Sequence, residues 1–178
     1  DSFRQAIRHV ALNSDFAGAV VRIDSPGGTV SASDAMWRVL RKLSKKKPVV
    51  VSLGNVAASG GYYTAVGGSE ILASKTTITG SIGVFAGKAN VSGLLAKYGI
   101  TTQLYKRGDA ADILSLYQPW TALQKQLVQE SIDEYAKLFY TRVGTGRSMS
   151  LKAVEENAAG RVFVGDEALK RKLVDRIG

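Results

Sequence analysis

Two short β-branched runs constrain the fold more than any other feature. Gly18-Ala-Val-Val-Arg-Ile-Asp24 and Val49-Val-Val-Ser-Leu53 are apolar enough to be buried on both faces. Each run is followed by a glycine-rich turn, Ser25-Pro-Gly-Gly28 and Ala58-Ser-Gly-Gly61, and then by a segment with helical spacing. Continuously apolar strands alternating with helices imply right-handed βαβ units and a mostly parallel sheet covered on both faces, an α/β fold.

The rest of the chain fits that alternation. Phe3, Ile7, Val10 and Ala11 place a helix over 3–13. Ser31 or Ser33 is the expected cap of a helix carrying Ala35, Met36, Val39, Leu40 and Leu43, which Pro48 stops. A helix is expected to open at Ser59, and Glu70–Ala73 reads as a third strand, followed by Ile78–Phe85. Val91–Tyr98 looks helical, Ile100–Tyr105 extended, and 107–119 has no clear period. Thr121 is placed to cap a long helix to about Val143, with Leu127, Ile132, Tyr135, Leu138 and Phe139 on its apolar face. Short helices around 151–157 and 166–172 close the chain, with Arg161–Val164 between them. No repeat or linker is visible, so one domain over residues 1–178 is the simplest account. The chain starts at Asp1 rather than Met, which points to a fragment or processed product of a longer protein.

Composition excludes several chemistries. There is no cysteine and one histidine, His9, so thiol catalysis, disulfides and a multi-His metal site are ruled out within this sequence. Neither a cofactor nor a metal is expected. The net charge of +9 is densest in Arg41-Lys-Leu-Ser-Lys-Lys-Lys47. A solvated helix end explains that block most simply, an anionic membrane surface next, and nucleic acid last, because no aromatic-interleaved basic strand offers a stacking platform. No apolar run approaches the ~20 residues of a membrane-spanning helix.

The two glycine-rich turns are the candidate site. Ligands of α/β sheets bind beyond the carboxyl ends of strands, where both turns fall, so they can converge. A serine hydroxyl is a weak nucleophile that needs a base and amide donors for the developing oxyanion. At a strand-to-helix turn Ser59 would present its oxygen at a helix N-terminus beside the Gly60 amide, and the Gly27–Gly28 turn can supply a second donor. Ser-Gly-Gly is also ordinary turn material, and local sequence alone does not separate the two readings.

Three motifs in register carry a resemblance. Asp24-Ser-Pro-Gly-Gly-Thr-Val30, Ala57-Ala-Ser-Gly-Gly-Tyr-Tyr63 and Thr79-Gly-Ser-Ile-Gly-Val84 resemble the signal peptide peptidase A family, S49. Gly160-Arg-Val-Phe-Val-Gly165 and Leu173-Val-Asp175 match its usual ending, so the resemblance covers nearly the whole chain. It implies the fold shared by the Clp protease proteolytic subunit and the crotonases, a superhelix of ββα units around a mostly parallel sheet. It implies a serine endopeptidase that degrades cleaved signal peptides with a Ser-Lys dyad. Ser59 would be the nucleophile, Gly60 with Gly27 or Gly28 the oxyanion hole, and Ser81 the hydroxyl that orients the base lysine.

The base is where this sequence departs from the pattern. Compact members carry the lysine in a stretch that aligns with Arg107-Gly-Asp-Ala-Ala-Asp-Ile-Leu-Ser115, and the matching position is Ala111. Long members contain two similar halves, the N-terminal half supplying the lysine and the C-terminal half the serine. The chain is therefore expected to be such a C-terminal half, completed by the N-terminal half or by neighbouring subunits. Lys75, Lys88 and Lys106 are the local substitutes, Lys106 the best of them. His9 lies upstream of Ser59 and reads as a surface residue, and Asp24 and Asp112 as structural turn residues. The resemblance further implies hydrophobic peptides as substrates, a homo-oligomer (a tetramer or larger ring), no nucleic acid, and a membrane-associated domain on the periplasmic side of a bacterial inner membrane. Tyr117–Trp120 and the long helix are candidate interface surfaces. A non-catalytic peptide-binding or assembly module of the same fold is the alternative, and a crotonase-type acyl-CoA enzyme a third reading that the serine argues against.

Overall fold

The computed structural model describes residues 2–178. They form two compact units, one of residues 2–84 and 135–178, the other of residues 85–134. The first unit holds the whole sheet, in the order β5-β4-β2-β3-β6, with β1 paired to β2. Its strands are β1 (Ala19–Ser25), β2 (Val49–Ala58), β3 (Glu70–Ala73), β4 (Ile78–Gly80), β5 (Val162–Val164) and β6 (Arg176–Ile177). All pairings are parallel except β4 with β5. The expected mixed α/β fold with a mostly parallel sheet is therefore present, and it is consistent with the Clp protease and crotonase architecture.

β2 organises this sheet. It runs five residues beyond the expected Leu53, because sequence patterning loses its apolar signal at Gly54 and Asn55 while the backbone pairing continues. Val50–Ser52 pair with β3, whereas Val56–Ala58 pair with β4, so the sheet curls between the two halves of β2. The register with β1 also jumps there, from Ile23↔Leu53 to Ser25↔Ala57. Asp24 fills the bulge. Its carboxylate accepts the Val56 N–H at 3.1 Å and lies where a Cβ on Gly54 would sit, 2.4 Å from the Asp24 Cγ. Asp24 is thus structural, as its turn position implied.

Helices α1 (Ser2–Leu12), α2 (Val30–Ser44) and α3 (Gly60–Ala65) pack on the sheet through Ile7, Trp37, Leu40, Leu43, Tyr62 and Tyr63, all buried. The cap of α2 is Thr29, not Ser31 or Ser33. Its side chain accepts from the Ala32 N–H at 3.4 Å, and Ser33 lies inside the helix, its hydroxyl donating to the Thr29 carbonyl at 2.9 Å. Thr29→Ala is expected to lower stability by about 1 kcal/mol, read as a drop in the urea midpoint at constant slope.

The second unit contains α4 (Ser92–Lys97) and the first half of α5 (Ala122–Arg147). Thr121 caps α5 as expected, its hydroxyl accepting from the Gln124 N–H at 3.2 Å. The extended run expected at Ile100–Tyr105 pairs with no strand and is exposed throughout, so its β-branched residues have no sheet to join. α5 continues past Val143 to Arg147, and of its expected apolar face Phe139 is buried while Tyr135 remains 47% exposed. The second half of α5 belongs to the first unit, where Arg147 makes a two-pronged ion pair with Asp175 at 2.7 and 2.8 Å. The short α6 (Leu151–Glu155) and α7 (Gly165–Lys170) complete that unit. Among the described residues no helix is long and apolar enough to cross a membrane.

Candidate active site

Ser59 occupies the single residue between β2 and α3, the strand-to-helix turn expected from its sequence. Its backbone is at φ 49°, ψ −120°, a conformation that a Cβ strongly disfavours. Such strain persists only where surrounding bonds over-determine it, and it clusters at functional sites. Here the bonds are visible: the Ser59 N–H donates to the Gly80 carbonyl at 2.9 Å, and the Ser59 carbonyl accepts from the Tyr63 N–H at 2.8 Å. The side chain makes no capping bond to its own helix, which leaves the hydroxyl uncommitted at the N-terminus of α3.

The Ser25–Gly28 turn reaches the same point. A Cβ on Gly27 would lie 2.9 Å from both the Gly60 nitrogen and the Ser59 Cβ, and Gly27 sits at φ +126°. The two turns therefore touch because Gly27 has no side chain. Gly60 is equally confined, since its Cβ would fall 3.0 Å from the Gly28 nitrogen and against the Ser33 hydroxyl. Neither the Gly60 nor the Gly28 N–H makes a backbone hydrogen bond among the described residues. Gly27 differs: its N–H donates to the Ser25 Oγ at 3.2 Å. Of the three candidate glycines, Gly60 and Gly28 thus keep an N–H without a partner among the described residues, whereas Gly27 provides the close approach of the two turns. Gly27→Ala is expected to push the turns apart and lower hydrolysis about 10²-fold, the usual loss for one oxyanion donor, read as a fall in kcat.

Ser81 mirrors Ser59 one strand away. Ala58 and Gly80 are partners in the β2–β4 register, so the two serines are the next residues on adjacent parallel strands. Both have φ 49°. The Ser81 N–H is fixed by the Arg161 carbonyl at 2.7 Å.

The remaining candidates lie elsewhere. Lys75 is exposed in the turn after β3, and His9 is exposed on α1. Lys88, Lys106 and Ala111 belong to the second unit. The Lys106 ammonium is already engaged, donating to the Asp112 carboxylate at 2.7 Å and the Asp109 carbonyl at 3.2 Å. That hydrogen bond is the largest of the effects that hold the Asp112 carboxyl below its ordinary value, and Gln124 adds a second at 2.7 Å. Asp112 is structural, as expected. Lys88 has a buried Nζ without a hydrogen-bond partner, 5.6 Å from the centre of the Trp120 ring. Ala111 is exposed and has nothing to ionise.

Sequence reasoning missed the support behind α3. The Tyr63 hydroxyl donates to Asp34 at 2.8 Å, and Asp34 also pairs with Arg142 at 3.1 Å and with Arg38. Arg142 in turn stacks 3.9 Å over the Trp37 ring. Burial first, and then the bond to the Asp34 carboxylate, push the Tyr63 hydroxyl up to about 12, so it remains a donor across the physiological range. Asp34 and Arg142 are 108 positions apart, and nothing local marks either one.

A strained serine between a parallel strand and a helix, with two adjacent backbone donors free, defines the architecture of a serine hydrolase site. The model of peptidase family S49 matches residues 41–178, and the chain belongs to that family. It is 38% identical over 98% of its length to the chloroplastic serine protease SPPA of Arabidopsis thaliana, covering 26% of that protein. It is 34% identical over 99% of its length to a putative signal peptide peptidase SppA of Enterococcus faecium, covering 52%. Protease 4 of Salmonella typhi is 35% identical over 100% of the chain, which covers 29% of that protein. The chain thus spans between 26% and 59% of the curated relatives matched at highest similarity.

Proposed function

We propose that the chain is the nucleophile-bearing domain of a serine peptidase whose base is a lysine supplied from outside residues 1–178. Ser59 attacks the scissile carbonyl, the Gly60 and Gly28 N–H groups bind the oxyanion, and Ser81 orients the incoming lysine. The carrying observation is the strained Ser59 at the meeting of two turns that approach only because residues 27 and 60 are glycine, each turn holding an amide with no backbone partner among the described residues. Ala111 at the family's lysine position and Lys106 tied to Asp112 support a base from elsewhere. A neutral lysine is needed to take the serine proton, and burial at an apolar contact with its partner segment would lower its pKa enough. Cleaved signal peptides and other hydrophobic peptides are the proposed substrates. The N-terminal half of the same protein or neighbouring subunits of a ring would complete the site, on the periplasmic side of a membrane.

The test is covalent labelling with a fluorophosphonate. Labelling at Ser59 in the intact protein, absent from the 178-residue chain alone, is the expected result. Labelling of the isolated chain at full rate overturns the external base. Labelling of neither favours the second reading, a peptide-binding module that keeps the fold without the lysine, for which Ala111 is the specific observation.

A further inference from the structure

α1 and α2 enclose an open groove of about 410 Å³ in the first unit, on a part of the fold the proposed chemistry does not use. Its floor is apolar, formed by Ile7, Ala11, Val39 and Leu43. Its rim carries Arg4 and Arg8 from α1, Lys42 from the last turn of α2, and Lys46 from the turn that follows α2. Each pair is spaced i, i+4, and the pairs line the same groove. On α1 that spacing of like charges is destabilising, and four cations around one groove repel one another, so the cluster favours a counter-charge. None of the four forms an ion pair among the described residues, and no carboxylate lines the groove. Leu12, also lining it, is 74% exposed, and the nearby Phe16 stacks edge-on against His9 of α1 and is 39% exposed.

We propose that this face docks on an anionic phospholipid surface, the four cations meeting headgroup phosphates while the exposed Leu12 meets acyl chain. Charge complementarity selects an anionic occupant, and Leu12 beside the cations selects one with hydrocarbon next to its charge. An extended peptide fits less well, because its backbone needs hydrogen-bond partners and two helices that satisfy their own backbones offer none. Basic residues flanking an exposed leucine suit a surface that offers phosphate beside hydrocarbon.

The test is co-sedimentation of the 178-residue chain with vesicles of phosphatidylglycerol and phosphatidylcholine, against pure phosphatidylcholine. Binding is expected only to the anionic vesicles and is expected to weaken with added salt. Arg8→Gln with Lys42→Gln should reduce partitioning about 30-fold, at roughly one tenfold step or less per cation. Leu12→Gln should reduce it while keeping the salt dependence. Lys152→Gln, an exposed cation on α6, should leave it unchanged, and Ser59→Ala likewise, which separates this site from the proposed catalytic one. Circular dichroism confirms that each variant is folded. Absence of binding to anionic vesicles, an equal loss with Lys152→Gln, or retention by the double glutamine variant overturns the proposal. So does capture of polyglutamate without vesicle binding, which would make the groove a dock for acidic peptides.

Discussion

Ser59→Gly is expected to yield a protein that is inactive and more stable. The serine holds φ 49°, ψ −120° against the preference of its Cβ, a strain of about 1–3 kcal/mol. Glycine adopts that conformation freely, at an entropic cost of about 0.5–1 kcal/mol. The net gain is about 1 kcal/mol, or roughly 2–4 °C in Tm for a chain of this size. Hydrolysis by the intact protein should fall about 10⁶-fold, as for loss of the nucleophile in other serine peptidases. Ser59→Ala separates the two effects, because it removes the hydroxyl but keeps the Cβ: equal inactivity without the gain in stability. A Ser59→Gly protein that retains turnover of a peptide ester removes the assignment of the nucleophile. One that is inactive but no more stable removes the argument from strain.

Asp34→Ala carries the second-largest expected effect. Asp34 is 13% exposed at its side chain, and Arg142 18%. Removing the carboxylate strands the Arg142 guanidinium and the Tyr63 hydroxyl together, a cost of about 3 kcal/mol for a largely buried pair. The consequence reaches the site because Tyr63 lies on the first turn of α3 and its N–H binds the Ser59 carbonyl. Both kcat and the urea midpoint should fall, whereas Arg38→Ala, which removes an exposed partner, should cost under 1 kcal/mol. The acid limb of stability tests the same network. Burial raises the Asp34 carboxyl, but bonds from Arg38, Tyr63 and Arg142 outweigh it and hold it below its ordinary value of 3.8. Its contribution is therefore complete above that value and is lost as pH falls through the folded-state value. Asp34→Asn should be less stable at neutral pH and show a shallower loss below pH 4. An acid limb unchanged in that variant would show that Asp34 is not held by these partners.

The groove between α1 and α2 and the turn at Ser59 make independent claims on the same unit. One depends on cations that no carboxylate answers, the other on amides that no carbonyl answers. Each is an unsatisfied set of donors, and each is open to a ligand of matching charge.

Much of this was legible in the sequence, for local reasons. β-branched runs, glycine-rich turns and helical spacing placed β1, β3, α1 and α5 near their observed positions, because apolar runs and backbone freedom leave marks at short range. β1 is nevertheless not buried on both faces as its sequence implied, since it is an edge strand paired with β2 alone and Val20 is 74% exposed. Ser59 was legible for the same reason, since a serine between an apolar strand and two glycines has few other conformations. The continuation of β2 to Ala58 was not, because pairing with β4 is decided by a strand twenty residues later. Nor was the difference between Gly28, whose N–H is free among the described residues, and Gly27, whose N–H donates to the Ser25 hydroxyl. The chain's own residues determined where a nucleophile could be presented, through turn chemistry that operates over five or six positions. Tertiary structure decided which amides are free to face it and which distant groups hold it still, because contacts such as Asp34 with Arg142 come from folding and leave no periodic trace along the chain.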